Sequence, residues 1–271
     1  MKNELKRLII TISIAFILIA ATIYFWNNPH NWGFETKSFF LGLLIPVIIL
    51  IIIELSTYDN IFFLIKTQLI NRNEEVRITT AYLFKIKYDN DKYLLIRKNN
   101  KYFPIGGKFK FYEAANTEWS NAKIQVKNDY MFDHSEKRKD DLVKIIYKKD
   151  IPSFINWFKS RKNREVCLWR EFYDELVKTG LFPLDLFPFI HCRYITSNPL
   201  EIILNNKRKP ELKLHEIYEL VLNKEQKQFL KTLYDNHDDR IYWATENEIN
   251  NLKVHNSEIE FADHSPFLIL N

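Results

Sequence analysis

The chain is poor in the residues that most often advertise a mechanism. Its 271 residues include five glycines, two methionines and two cysteines. No Gly-rich phosphate loop, dinucleotide fingerprint or Gly-x-Ser-x-Gly elbow is present, which removes the common nucleotide-fold and serine-hydrolase signatures. Cys167 and Cys192 are too few for a disulfide framework and suit a reducing compartment. The seven histidines show no i, i+4 pairing, so none is assigned to a metal. The net charge of +5 is modest. It is compatible with an anionic membrane face or an anionic ligand and too weak for a duplex nucleic-acid groove.

What is plentiful is apolar and aromatic. Leu8 to Trp26 and Phe39 to Leu55 are two long hydrophobic runs without interior charge. A bilayer core takes about 20 helical residues, within about 17–25, so both are expected to be transmembrane helices. The first run exceeds the ~7–15 residues of a signal-peptide core and no small-x-small site follows, so a retained anchor is expected. Lys2, Lys6 and Arg7 precede the first run, and Lys66, Arg72 and Arg77 follow the second. The positive-inside rule then puts both termini in the cytoplasm, with Trp26 and Trp32 at the outer interface. Pro46 would kink the second helix and Gly42 would let it approach a neighbour closely, which fits a passive anchor or a pair that repacks. The expected organisation is an anchor over 1–56, a juxtamembrane linker over 57–74 and a cytosolic domain over 75–271. Asp59 to Ile70 reads either as an interfacial helix or as the first buried element of that domain.

From Glu75 the pattern changes to strands. Arg77 to Lys87, Lys92 to Arg97 and Leu142 to Tyr147 are rich in β-formers, and Tyr88–Asp91 and Asn99–Asn100 are turn clusters. Gly106-Gly107 supplies either a hairpin turn or a place where backbone approaches a ligand, with Lys108 beside it for an anion. An insertion over about 114–160 is charged and aperiodic at first, with His134 to Asp141 read as a solvated face. Ile151 to Ser160 then has helical spacing, with Pro152 in the first turn.

The chemically richest segment is Arg170-Glu171-Phe172-Tyr173-Asp174-Glu175-Leu176. On a helix, Glu171, Asp174 and Glu175 share one face. Their repulsion could be offset by a divalent cation such as Mg²⁺ or by surface pairing with Arg170 and Lys178.

The order of a strand, a hairpin ending in Leu-Leu-Ile-Arg, Phe-Pro-Ile-Gly-Gly and then this helix resembles a Nudix domain. Lys213 to Leu222 resembles its late core strand, and Ile241 to Ile249 its last strand and closing helix. The family's box has a glycine, five residues, a glutamate, seven residues, then Arg-Glu-aliphatic-x-Glu-Glu-x-Gly. Only its second half is matched. Roughly 60 residues separate Gly107 from Arg170, Lys162 stands where the first-half glutamate belongs, and the final glycine is displaced to Gly180. With two hydrophobic runs, Asn163-Arg164-Glu165-Val166 and Lys178-Thr179-Gly180, the chain resembles the narrower SMODS-associated NUDIX domain group.

The resemblance implies an α+β fold: two N-terminal transmembrane helices, then a Nudix-like α/β/α sandwich with a mixed sheet. It implies a multi-pass protein of the bacterial inner membrane, an effector of CBASS antiphage signalling. Its domain would sense a cyclic di- or trinucleotide made by a cyclic-oligonucleotide synthase, then drive homo-oligomerisation and membrane disruption. Candidate nucleotide-binding residues are Arg77, Arg97 and Lys108 for phosphate, and Tyr82, Phe103 and Tyr102 for stacking. Each of these aromatics could instead be core. This reading needs no cofactor and no catalytic residue. The alternative is a membrane-tethered Nudix phosphoanhydride hydrolase of nucleoside diphosphate derivatives, with Mg²⁺ on Glu171, Asp174 and Glu175. A third reading is a structural anchor recruiting a protein partner through residues 114–150.

Overall fold

The computed structural model describes residues 2–27, 59–89, 91–129, 138–205, 207–255 and 257–270, together with Gly42, Ile45, Pro46 and Ile49. It divides into two units, Met1–Leu69 and Ile70–Asn271.

In the first unit the leading hydrophobic run forms one continuous helix, α1 (Lys2–Asn27). Phe16, Ile17, Ile23 and Tyr24 are exposed on it. Of the second run only the four isolated residues are described, and they are helical; the rest of that expected span lies outside the described residues. Among the described residues no helix is long and apolar enough to cross a membrane, so the two expected spans are unsupported. Asp59 to Leu69 forms α2 within this unit and exposes Ile65 and Leu69.

The second unit is α+β, with two mixed sheets where one was expected. Its centre is β1 (Glu75–Lys85), whose Val, Ile, Thr and aromatic residues favour an extended chain. All but its first residues are buried, as befits a strand covered on both faces. One edge of β1 pairs in parallel with β10 (Pro210–Leu220), with Arg77 opposite Glu211 and Ala81 opposite His215. The other edge is shared. Its first half pairs with β7 (Val143–Tyr147) and its second with β5 (Gly106–Lys108). β6 (Val126–Asn128) lies outside β7, while β8 (Cys192–Ser197) and β9 (Ile202–Leu204) pair with β10.

The second sheet joins β3 (Lys92–Lys98) to β4 (Lys101–Pro104), β11 (Ile241–Ala244), β12 (Glu260–Phe261) and the short β2 (Lys87–Tyr88). Leu83, Tyr93, Leu95, Tyr102, Ile249, Phe261 and Leu268 form its core. Burying each such side chain is worth about 1.5–3 kcal/mol. The closing helix Glu246–Asn250 starts at a reciprocal cap between Thr245 and Glu248.

One expectation changes here. Gly106-Gly107 is not a hairpin turn; it opens β5 and carries the chain from the five-stranded sheet into the seven-stranded one. Gly106 has φ +145°, and a Cβ there would lie 2.1 Å from the Tyr82 carbonyl oxygen. Gly106→Ala should therefore cost at least 2 kcal/mol, on the order of the strain of an Ala at positive φ plus the clash. Chemical denaturation would register it as a lower midpoint.

The segment over 114–160 is packed into the fold, and the strand and helix expected within it form. It supplies β7, the direct neighbour of β1, and two packed helices, Ala115–Asn121 and Ile151–Ser160. Trp119 lies 4.9 Å from Trp157 and 6.3 Å from Phe154 by ring centroid. Residues 130–137, which include the first half of the charged run, lie outside the described residues.

Candidate functional site

Strand periodicity decides which side chains can form a site. Odd-numbered residues of β1 and β10 face one way and even-numbered ones the other. Val76, Ile78, Tyr82 and Phe84 point into the core. Arg77, Thr79, Ala81 and Leu83, with Glu211, Lys213 and His215, line the opposite face, where two adjoining cavities open.

The first to consider, of about 530 Å³, lies over the second half of β1. Six basic side chains line it: Lys98, Lys108, Lys110, Arg138, Arg170 and Lys213. Four acidic ones do so too: Asp141, Glu171, Asp174 and Glu175. The acidic helix forms its wall. Trp169–Phe172 is α-helical, and Tyr173–Val177 widens into a π turn closed by the Lys178 N–H donating to the Tyr173 carbonyl at 2.8 Å.

Glycine lets this helix approach. A Cβ on Gly107 would overlap the Glu171 carboxyl carbon at 2.1 Å. The Gly106 N–H donates to Glu175 at 2.9 Å, and Lys98 pairs with the same carboxylate. Burial raises the Glu175 pKa, opposed by Lys98 and by the Gly106 N–H. Arg170 grips Glu165 with two bonds of 2.9 Å, donates to the Lys108 carbonyl at 2.9 Å and pairs with Glu171. Burial lowers the Lys108 pKa, opposed first by Asp141. Close to the Lys98 side sit Phe103 and His264, with rings 6.2 Å apart, and His215 lies 6.0 Å beyond His264. Among the described residues the buried Nδ1 of His215 has no hydrogen-bond partner.

The expected site residues divide. Lys108 and Phe103 line this cavity together. Arg77 faces the neighbouring cavity, where Asp129 at 2.7 Å and Glu211 hold its guanidinium. Tyr82 is fully buried against Phe109, 4.8 Å away, and has no free face for a base. Tyr102 is likewise core, 5.1 Å from Tyr242. Arg97 is exposed and lines neither cavity; its neighbour Lys98 takes the inward place. Sequence reasoning missed Lys98, Lys213, His215 and His264. The parity of Lys98 with Ile96, which pairs with Phe103, was the available signal for the first.

The carboxylate trio does not fit a metal as arranged. Glu171 and Glu175 are held by Arg170 and Lys98, and the half-exposed Asp174 lies 3.7 Å from Lys178. Among the described residues no group of three His, Cys, Asp or Glu side chains is placed to hold a metal ion.

A mixed-sheet α+β domain whose Arg-Glu helix leans on a Gly-Gly strand is Nudix-like in class. The chain belongs to the SMODS-associated NUDIX domain family, which matches residues 75–269. No curated protein and no solved structure matches it.

Proposed function

We propose that this protein is a membrane-anchored antiphage effector whose Nudix-like domain binds a cyclic di- or trinucleotide and does not hydrolyse it. The observation that carries the reading is the cavity over β1. Six cations surround it, and two of the three box carboxylates are taken by protein cations, leaving no metal-ready cluster among the described residues. Such a surface suits phosphates, and Phe103 offers a ring beside it for a base. Family membership supports the link to SMODS-associated signalling. Supporting an anchor are the basic start of α1 and its exposed apolar side chains. Ligand binding would favour an assembled state that perturbs the inner membrane, by differential affinity for that state.

The test uses the full chain in detergent, with melting, light scattering and product chromatography across cyclic di- and trinucleotides, with and without Mg²⁺. One cyclic ligand should stabilise the domain by about 2.7 kcal/mol at a hundredfold excess over Kd, and particle size should rise. Lys108→Glu should weaken that ligand by roughly 10- to 100-fold, the scale of a lost charged hydrogen bond. Mg²⁺-dependent consumption of a linear nucleoside diphosphate derivative, with no cyclic ligand bound, would instead establish the tethered hydrolase.

A further inference from the structure

The two cavities on the β1/β10 face share one residue. Lys213 lines both. Among the described residues its ammonium has no ion pair or hydrogen bond, unlike Lys98, Lys110 and Arg170 nearby. It sits opposite Thr79, between the pairs Arg77–Glu211 and Ala81–His215. Those flanking pairs are four residues apart, about 13 Å along the strands at ~3.3 Å per residue. The neighbouring cavity encloses about 660 Å³.

The two differ in chemistry. Around the first, basic side chains outnumber acidic ones. Around the second, Arg77, Lys207, Lys209 and Lys213 are balanced by Glu75, Asp129, Glu211 and Asp263. Arg77 is already satisfied by two buried carboxylates, so phosphate gains little there. What that cavity offers is apolar wall from Ile203, Leu204 and Phe267, with the Asp263 carboxylate on its lining as an acceptor. This combination suits a flat, uncharged ring bearing an amino group, since apolar faces take the ring and a carboxylate accepts from the amine.

We propose that the two cavities form one bipartite site: the cationic cavity seats phosphate, the adjoining cavity seats an amine-bearing nucleobase, and Lys213 holds the anion at their junction. This rests on the proposed cyclic-nucleotide reading and makes it specific. The ligand class is one with a phosphate and a base too far apart for either cavity alone. Adenine, guanine and cytosine carry the amine; uracil does not.

The experiment is calorimetric titration of the full chain in detergent with inorganic pyrophosphate and with cyclic dinucleotides of all four bases. Leu204 is 66% exposed, so Leu204→Trp narrows the second cavity without touching the core. It should weaken the best cyclic dinucleotide at least tenfold and leave pyrophosphate unchanged. Lys213→Met should weaken both. Asp263→Ala, at an exposed position, should erase the preference for amine-bearing bases, and it serves as the second test if the tryptophan variant fails to fold. A tight cyclic ligand that neither Leu204→Trp nor Asp263→Ala affects would overturn the bipartite site and leave the sensor reading standing. A wild-type chain that binds no cyclic dinucleotide or trinucleotide would overturn both.

Discussion

Arg164→Ala is expected to lower stability by about 3–5 kcal/mol, the cost of stripping one partner from a buried charge pair. Arg164 is 2% exposed. Its Nε donates to the Phe158 carbonyl at 2.7 Å, one terminal nitrogen to the Glu165 carbonyl at 2.9 Å, and the other to Glu216 at 3.3 Å. The guanidinium also lies over the rings of Phe158 and Phe109, at 3.9 and 4.5 Å. It thus ties the Ile151–Ser160 helix and the segment leading into the acidic helix to the late strand β10. Alanine would leave Glu216 buried with only the Tyr218 hydroxyl, which donates to it at 2.6 Å. At roughly 2–4 °C per kcal/mol for a domain of this size, the melting temperature should fall by about 10 °C. A double variant with Glu216→Gln should recover part of the loss, because the stranded charge is gone. A melting curve that stays within a degree or two of wild type would show that the pair contributes nothing.

Acid should destabilise the domain through its two buried histidines, starting near neutral pH. Burial pushes the His215 pKa down to about 3, with His264 and Lys213 acting in the same direction, and that of His264 down to about 4, with Lys213 and Lys98 adding to burial and Asp263 opposing it. In the unfolded chain both sit near ~6.5. Below that pH the unfolded state takes up protons that the native state refuses, so stability falls as pH drops. The loss begins near pH 6.5 and continues to about pH 4 for His264 and about pH 3 for His215. His215 packs in an aromatic setting, 5.1 Å from Phe267, and its Nδ1 has no partner to lose. His215→Phe should therefore change stability little at pH 7 and flatten the decline between pH 6 and 4. Denaturant melts at four pH values would measure the difference. Parallel curves for the two proteins would mean that the native imidazole takes up its proton as readily as the unfolded one.

What was legible in the sequence was local. β1, β3, β7 and the helix begun at Ile151-Pro152 each carry their pattern within a few residues. The site was half legible. Lys108 and Phe103 come to line one cavity, but Arg77 and Tyr82 are five apart on one strand and so face opposite ways. The same parity separates Arg97 from Lys98. Other features depend on distant chain. That Gly106 crosses between sheets, or that β7 lies beside β1, follows from pairing across the fold. Lys213, His215 and His264 belong to no motif, and only the β1/β10 register and the C-terminal turn bring them to the cavity.

The parallel pairing of β1 with β10 also fixes the order of events during synthesis. Arg77 and Glu211 are 134 residues apart. At ~5–20 residues per second, β1 leaves the ribosome several seconds before its partner exists. The apolar α1 emerges earlier still. The N-terminal segment is thus made while the proposed ligand-binding face, which needs both strands, has yet to form. Closing so long a loop late makes the domain a slow folder by topology. A nascent chain stopped before Leu220 would display the first segment without the cavity that is proposed to control it.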